Sequence, residues 1–110
     1  MQTTSLTELA EQHLTAARDT PRGRSVQAVR GGPGVVLRQT LIALAGGQRL
    51  DEHENPGEAT VQVLRGHVRL VAGAESCDAR AGDLLVVPDA RHSLEALEDS
   101  AVLLTAVTAG

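Results

Sequence analysis

The stretch Gly47-Gln-Arg-Leu-Asp-Glu-His-Glu-Asn-Pro-Gly-Glu-Ala-Thr-Val-Gln-Val-Leu-Arg-Gly66 decides how this chain folds. It begins and ends at glycine, and Asn55-Pro56-Gly57 in its middle is a turn signal. The segments on either side of that turn alternate with the two-residue period of a β-strand. If His53 and Asn55 face inward, Ala59, Val61 and Val63 face inward on the next strand, while Thr60, Gln62 and Leu64 face out. Beyond Gly66 the alternation continues: Val68, Leu70 and Ala72 turn inward, His67 and Arg69 outward.

Working outward, the rest of the chain after Ser25 also reads as short strands separated by turns. Strands are expected at 25–30, 35–45, 49–53, 59–65, 67–72, 76–80, 84–88, 91–97 and 101–107. Gly31-Gly32-Pro33-Gly34, Gly46-Gly47, Gly73-Ala74 and Asp99-Ser100 mark the turns. Many short strands at regular spacing predict an all-β sandwich or barrel. Residues 5 to 18 are the exception. Ser5-Leu6-Thr7-Glu8 is a capping box, and Leu6, Leu9, Ala10, Leu14 and Ala17 form one apolar helical face. That face is expected on the body of the protein or on a partner subunit. Asp19 to Gly23, with Pro21, ends the helix. The organisation expected is an N-terminal helix and linker at 1–24 followed by one barrel domain at 25–110.

Composition limits what such a domain does. The 110 residues contain no Phe, Tyr or Trp, so Leu, Val, Ile and Ala fill the core and no aromatic platform exists for stacking bases. All 10 basic residues are Arg, dispersed from Arg18 to Arg91, and the net charge is −4. Nucleic-acid binding is therefore not expected. Cys77 is the single cysteine, which excludes an intrachain disulfide, and it is read as a small inert residue. No leader-like segment and no apolar run of membrane-spanning length is present, so a cytoplasmic protein without membrane contact is expected. His13, beside the apolar stripe of the helix, is read as a surface histidine.

A second stretch completes the pattern: Gly82-Asp83-Leu84-Leu85-Val86-Val87-Pro88-Asp89-Ala90-Arg91-His92. His92 shares its strand face with Leu94 and Ala96. With the first stretch it resembles the paired motifs of the cupin superfamily, usually written G-x5-H-x-H-x3-4-E-x6-G and G-x5-P-x-G-x2-H-x3-N. Gly47, His53, Gly66, Gly82 and Pro88 are in register. Asn55 stands at the second histidine position and Ala59 at the glutamate. Ala90 replaces a glycine, and His92 arrives one residue early. The runs HENPGEATVQVLRGHVRL and HSLEALEDSAVLLT are similar to small single-domain bacterial cupins of the RmlC-like kind.

The resemblance implies a jelly-roll β-barrel of two antiparallel sheets with one N-terminal α-helix, a ligand cavity inside, and a homodimer. Leu64, Val71 and Leu97, apolar on faces read as outer, suggest a surface for such a dimer. Members of the superfamily commonly bind Fe, Mn, Ni or Zn through three His and one Glu. Here only His53 and His92 match, with Asn55 or Glu58 as the third-ligand alternatives. A divalent transition metal is therefore expected to be held weakly or not at all. Strand parity turns Glu58 outward unless the 55–57 turn shifts the register.

Three readings of the two histidines stay open. They form a metal site, or polar contacts in an apolar pocket, or hydrogen-bonded structural groups. The ligand pocket expected is His53, Asn55, Val61, Val63, Val68, Leu70, His92 and Leu94. No catalytic residue is identified, and Ser93 beside His92 faces the other side of the strand. A small-molecule-binding barrel, including a metal-dependent enzyme of small metabolites, stands against a non-enzymatic sensor or structural dimer.

Overall fold

The computed structural model describes residues 1–53 and 57–107, and for Glu52 and His53 the backbone alone. Asn55 therefore lies outside the described residues. Helix α1 spans Leu6–Arg18. Among the described residues nine strands follow: β1 Arg24–Arg30, β2 Leu37–Leu44, β3 Arg49–His53, β4 Glu58–Arg65, β5 His67–Ala72, β6 Glu75–Arg80, β7 Leu84–Val86, β8 His92–Ala96 and β9 Ser100–Val107. They form a five-stranded sheet ordered β1-β2-β9-β4-β7 and a four-stranded sheet ordered β3-β8-β5-β6. All pairings are antiparallel, and the two sheets face each other as a jelly roll.

Alternation explains the core. Val61 and Val63 on β4, Val68 and Leu70 on β5, and Leu94 and Ala96 on β8 are buried in one apolar cluster with Ile42, Leu44 and Val102. Their neighbours Gln62 and Glu58 are exposed. Without aromatic side chains, the sandwich is filled by branched aliphatic residues, which suit the pleated surface.

The helix lies on the outer face of the five-stranded sheet. Its N-cap Ser5 accepts a hydrogen bond from the Glu8 N–H at 3.2 Å, as the capping box predicts. Ala10, Leu14 and Ala17 pack on Ala43 and Ala101, with Leu64 against them. Leu64, read from sequence as part of a dimer surface, is thus covered by the chain's own helix. His13 is satisfied on this face, with Nδ1 2.6 Å from Ser25 Oγ and Nε2 2.8 Å from Gln27 Oε1. Arg65 pairs with Glu11 of the helix.

Antiparallel connection puts the turns β2–β3, β4–β5, β6–β7 and β8–β9 at one end of the barrel, and that end is stitched shut. Asp99 accepts from Arg18 Nε at 2.7 Å and from the Gly46 N–H at 2.8 Å. Both bonds hold its carboxyl below the ordinary carboxylate range. The buried Ser100 hydroxyl donates to a carbonyl, Glu98 O at 2.7 Å or His67 O at 3.2 Å, and accepts from the His67 N–H at 3.0 Å. Gly66 lies against this knot with φ +87°, where a Cβ would collide with Asp99 O and Ser100. Only glycine fits.

Candidate functional site

The opposite end carries the histidines. It gathers the end of β3, the start of β4, the loop from β7 to β8, and the end of β9. Pro88 offers no N–H to a ladder, and β7 gives way to a loop that delivers His92 to the first position of β8. His92 has the parity of Leu94 and Ala96 and is only 5% exposed. Its Nδ1 donates to the Ala90 carbonyl at 2.9 Å. That bond makes Nδ1 the donor and fixes how the ring sits.

The backbone register sets position 53 across from position 92. Leu50 pairs with Leu94, but the next pair is His53 with His92, so a bulge adds one residue to β3. Strict alternation from Leu50 would have matched Glu52 to His92. Bulges re-aim a strand next to functional sites, and this one does so between the two histidine positions.

The expected apolar residues share one buried core rather than surrounding His92: Val63 and Val68 pair with Val102 and Ala96, toward the closed end. Leu94 lies between Leu50 and Leu70 in the four-stranded sheet. Val61, Val63 and Val68 belong to the same buried cluster. At the rim, on the outer side of the five-stranded sheet, a cavity of about 350 Å³ is lined by Glu58, Thr60, Val86, Asp89, Thr105 and Val107 among others, and neither His92 nor any other described residue of the expected pocket lines it. Asp89 and Thr105 escaped sequence reading. Only their position after β7 and near the end of β9 brings them to this rim, and no local pattern marks that.

Among the described residues, the donors do not make up the four-ligand set of the fold. Ala59, at the glutamate position, is a buried methyl among apolar neighbours. Glu58 is exposed beside it and does not join the cluster. Among the described residues no three His, Cys, Asp or Glu side chains gather as a metal site. Ser93, next to His92 in the chain, pairs with Val71 and has the opposite strand parity.

Two sheets closed over an aliphatic core, with a buried imidazole near one end, define a single-barrel jelly-roll protein. The chain belongs to the cupin family: the model described as "Cupin domain" matches residues 40–108. Among solved structures it is similar to a conserved protein of unknown function from Streptococcus pyogenes. The two are 25% identical with TM-score 0.73, over 83% of this chain and 79% of that one. An RmlC-like cupin protein from Desulfovibrio desulfuricans is 27% identical with TM-score 0.65, over 74% and 79%. A cupin superfamily protein from Desulfitobacterium hafniense, 18% identical with TM-score 0.71 over 78% of each chain, shares the fold. Comparison with curated proteins returns no match. No helix among the described residues is long and apolar enough to cross a membrane.

Proposed function

We propose that this cupin binds a small organic molecule at the histidine end of its barrel, without a resident metal of the three-His, one-Glu kind. His53 and His92 supply the polar contacts, with Asn55 as a further one. Val61, Leu70 and Leu94 form the apolar wall, with Val63 and Val68 deeper in the barrel toward its closed end. The observation that carries this reading is His92 itself, a buried imidazole on the core-facing side of β8 whose Nδ1–H bond to Ala90 orients the ring. Small-molecule sites pair apolar walls with a few placed polar groups in this way. Two imidazoles without a carboxylate would hold Fe, Mn, Ni or Zn weakly. The reading extends to a homodimer in the cytoplasm.

A thermal-shift screen of sugars, carboxylates and phenolic metabolites against wild type and His92→Ala tests it. A ligand at about a hundred times its Kd stabilises by about 2.7 kcal/mol, a shift of several degrees. Such a shift is expected in wild type and is expected to vanish in His92→Ala. If no compound shifts wild type and the substitution only lowers Tm, His92 is a structural histidine and the proposal fails. Metal analysis of untagged protein is expected to find far less than one ion per chain. A stoichiometric ion that survives dialysis would overturn the metal-free part.

A further inference from the structure

Strand β7 differs from the other sheet edges. Among the described residues the sheets end in β1, β7, β3 and β6. β1 carries Arg24 and Arg30, β3 carries Arg49, Asp51 and Glu52, and β6 carries Glu75, Asp78 and Arg80. Charges on an edge oppose the docking of another strand, because docking would strip their water. β7 reads Leu84-Leu85-Val86 and has none. Leu85 enters the core, but Leu84 is 62% and Val86 75% exposed, more than any other large apolar residue except Met1.

The backbone of β7 points the same way. Leu85 pairs with Val61 of β4, the Val63 N–H donates to Asp83 O at 2.9 Å, and the Val87 N–H donates to Ala59 O at 3.0 Å. In an antiparallel ladder the groups of alternate residues face opposite neighbours. The N–H and C=O of Leu84 and Val86 therefore lie along the outer edge. The same two residues offer ladder groups and apolar side chains together.

We infer that a second copy of this chain pairs antiparallel along β7, joining the two five-stranded sheets edge to edge. The segment is self-complementary under a two-fold axis at Leu85. Leu84 of each copy lies across from Val86 of the other, and Asp83 lies across from Val87, so no like charges meet. The same operation would set Arg24 against Arg30 on β1 and Asp51 against itself on β3, both repulsive. On β6 it would take Glu75, Asp78 and Arg80 out of water. Beside β7, a crevice of about 370 Å³ runs between it and β6, its wall apolar at Leu70, Ala72, Leu84, Val86 and Pro88 and polar only at the β6 side, where Glu75 and Ser76 lie beside Cys77. A docked strand would run along this crevice and shield its apolar wall. Such an interface is isologous and closes at two copies.

The inference rests on the homodimer of the proposed function and adds its surface. Light scattering with size exclusion at micromolar concentration tests it on wild type, on Leu84→Lys/Val86→Lys, and on Val36→Lys, also exposed, as a control elsewhere on the surface. The expected result is a wild-type mass of twice 11.5 kDa. The double variant is expected at the monomer mass, with dimer affinity weaker by roughly tenfold or more, and the control is expected to stay dimeric. Both altered residues are exposed, so far-UV circular dichroism is expected to be unchanged. A wild-type monomer overturns the dimer and its surface together. A dimer that resists the double substitution overturns the β7 surface and leaves the dimer standing.

Discussion

At the residue scale, the two glycine-bounded motifs divide their work between the barrel's ends. Gly66 belongs to the closed end, where the chain turns from β4 into β5 against the backbone of Asp99 and Ser100. Its φ of +87° and the collision awaiting any Cβ exclude other residues independently. Gly66→Ala is expected to cost about 2 kcal/mol or more, because the close neighbours are backbone and a bonded hydroxyl and cannot move aside cheaply. Urea denaturation followed by circular dichroism measures it, and an unchanged midpoint would refute the account. His92 belongs to the open end. Its identity as a candidate was legible from the Gly82–Pro88 run and from its parity with Leu94. Its match to His53 was not, because that depends on a bulge between Leu50 and His53. A bulge shifts register without a required residue type, so counting along β3 cannot find it.

At the element scale, strand positions were readable from the turns, but turn residues do not fix where ladder pairing begins, so ends shifted by one or two residues even beside glycine. β2 begins at Leu37 rather than 35, after the Gly31–Gly34 turn, and β7 stops at Val86 short of Pro88. The helix's apolar stripe was legible too, but its docking place was open until Ala43, Ala101 and Leu64 appeared beneath it. On the outer face of the four-stranded sheet, Asp78 joins β5 to β6. It accepts from Arg69 Nε at 2.7 Å and Nη2 at 3.2 Å, and lies 2.9 Å from His67 Nε2. The Arg69 hydrogen bond first, and then that of His67, lower its pKa to about 2. A carboxyl with a depressed native pKa stabilises the fold above its unfolded value of about 3.9. That contribution is lost as pH falls through about 2. Asp99, also depressed, has the same sign. Asp78→Asn is therefore expected to flatten the decline of Tm between about pH 4 and pH 2. Its Tm should differ from wild type most at neutral pH and least in acid. A constant difference across the range would show that Asp78 contributes no linked proton.

At the scale of the whole molecule, the last strand is the middle one. β9 bonds β2 on one side and β4 on the other, so residues 100–107 join the N-terminal strands to the motif strands of the same sheet. No local pattern in the sequence announces this order. It follows from the jelly-roll connection, in which strands distant in the chain become neighbours. Removing β9 would split the five-stranded sheet and uncover Ile42, Leu44, Val61 and Val63 together. Deleting residues 100–110 is expected to abolish cooperative thermal unfolding. Deleting residues 1–4, which precede the N-cap Ser5, should leave the transition within a few degrees of wild type. Because the pairings are long-range, loop-closure entropy must be met before most contacts form, and refolding is expected on the slow, millisecond-to-second scale of all-β domains. With no aromatic residue the chain gives no intrinsic fluorescence signal, so stopped-flow far-UV circular dichroism is the measurement that checks this. A microsecond phase carrying the full amplitude would mean that native β9 pairing does not limit folding.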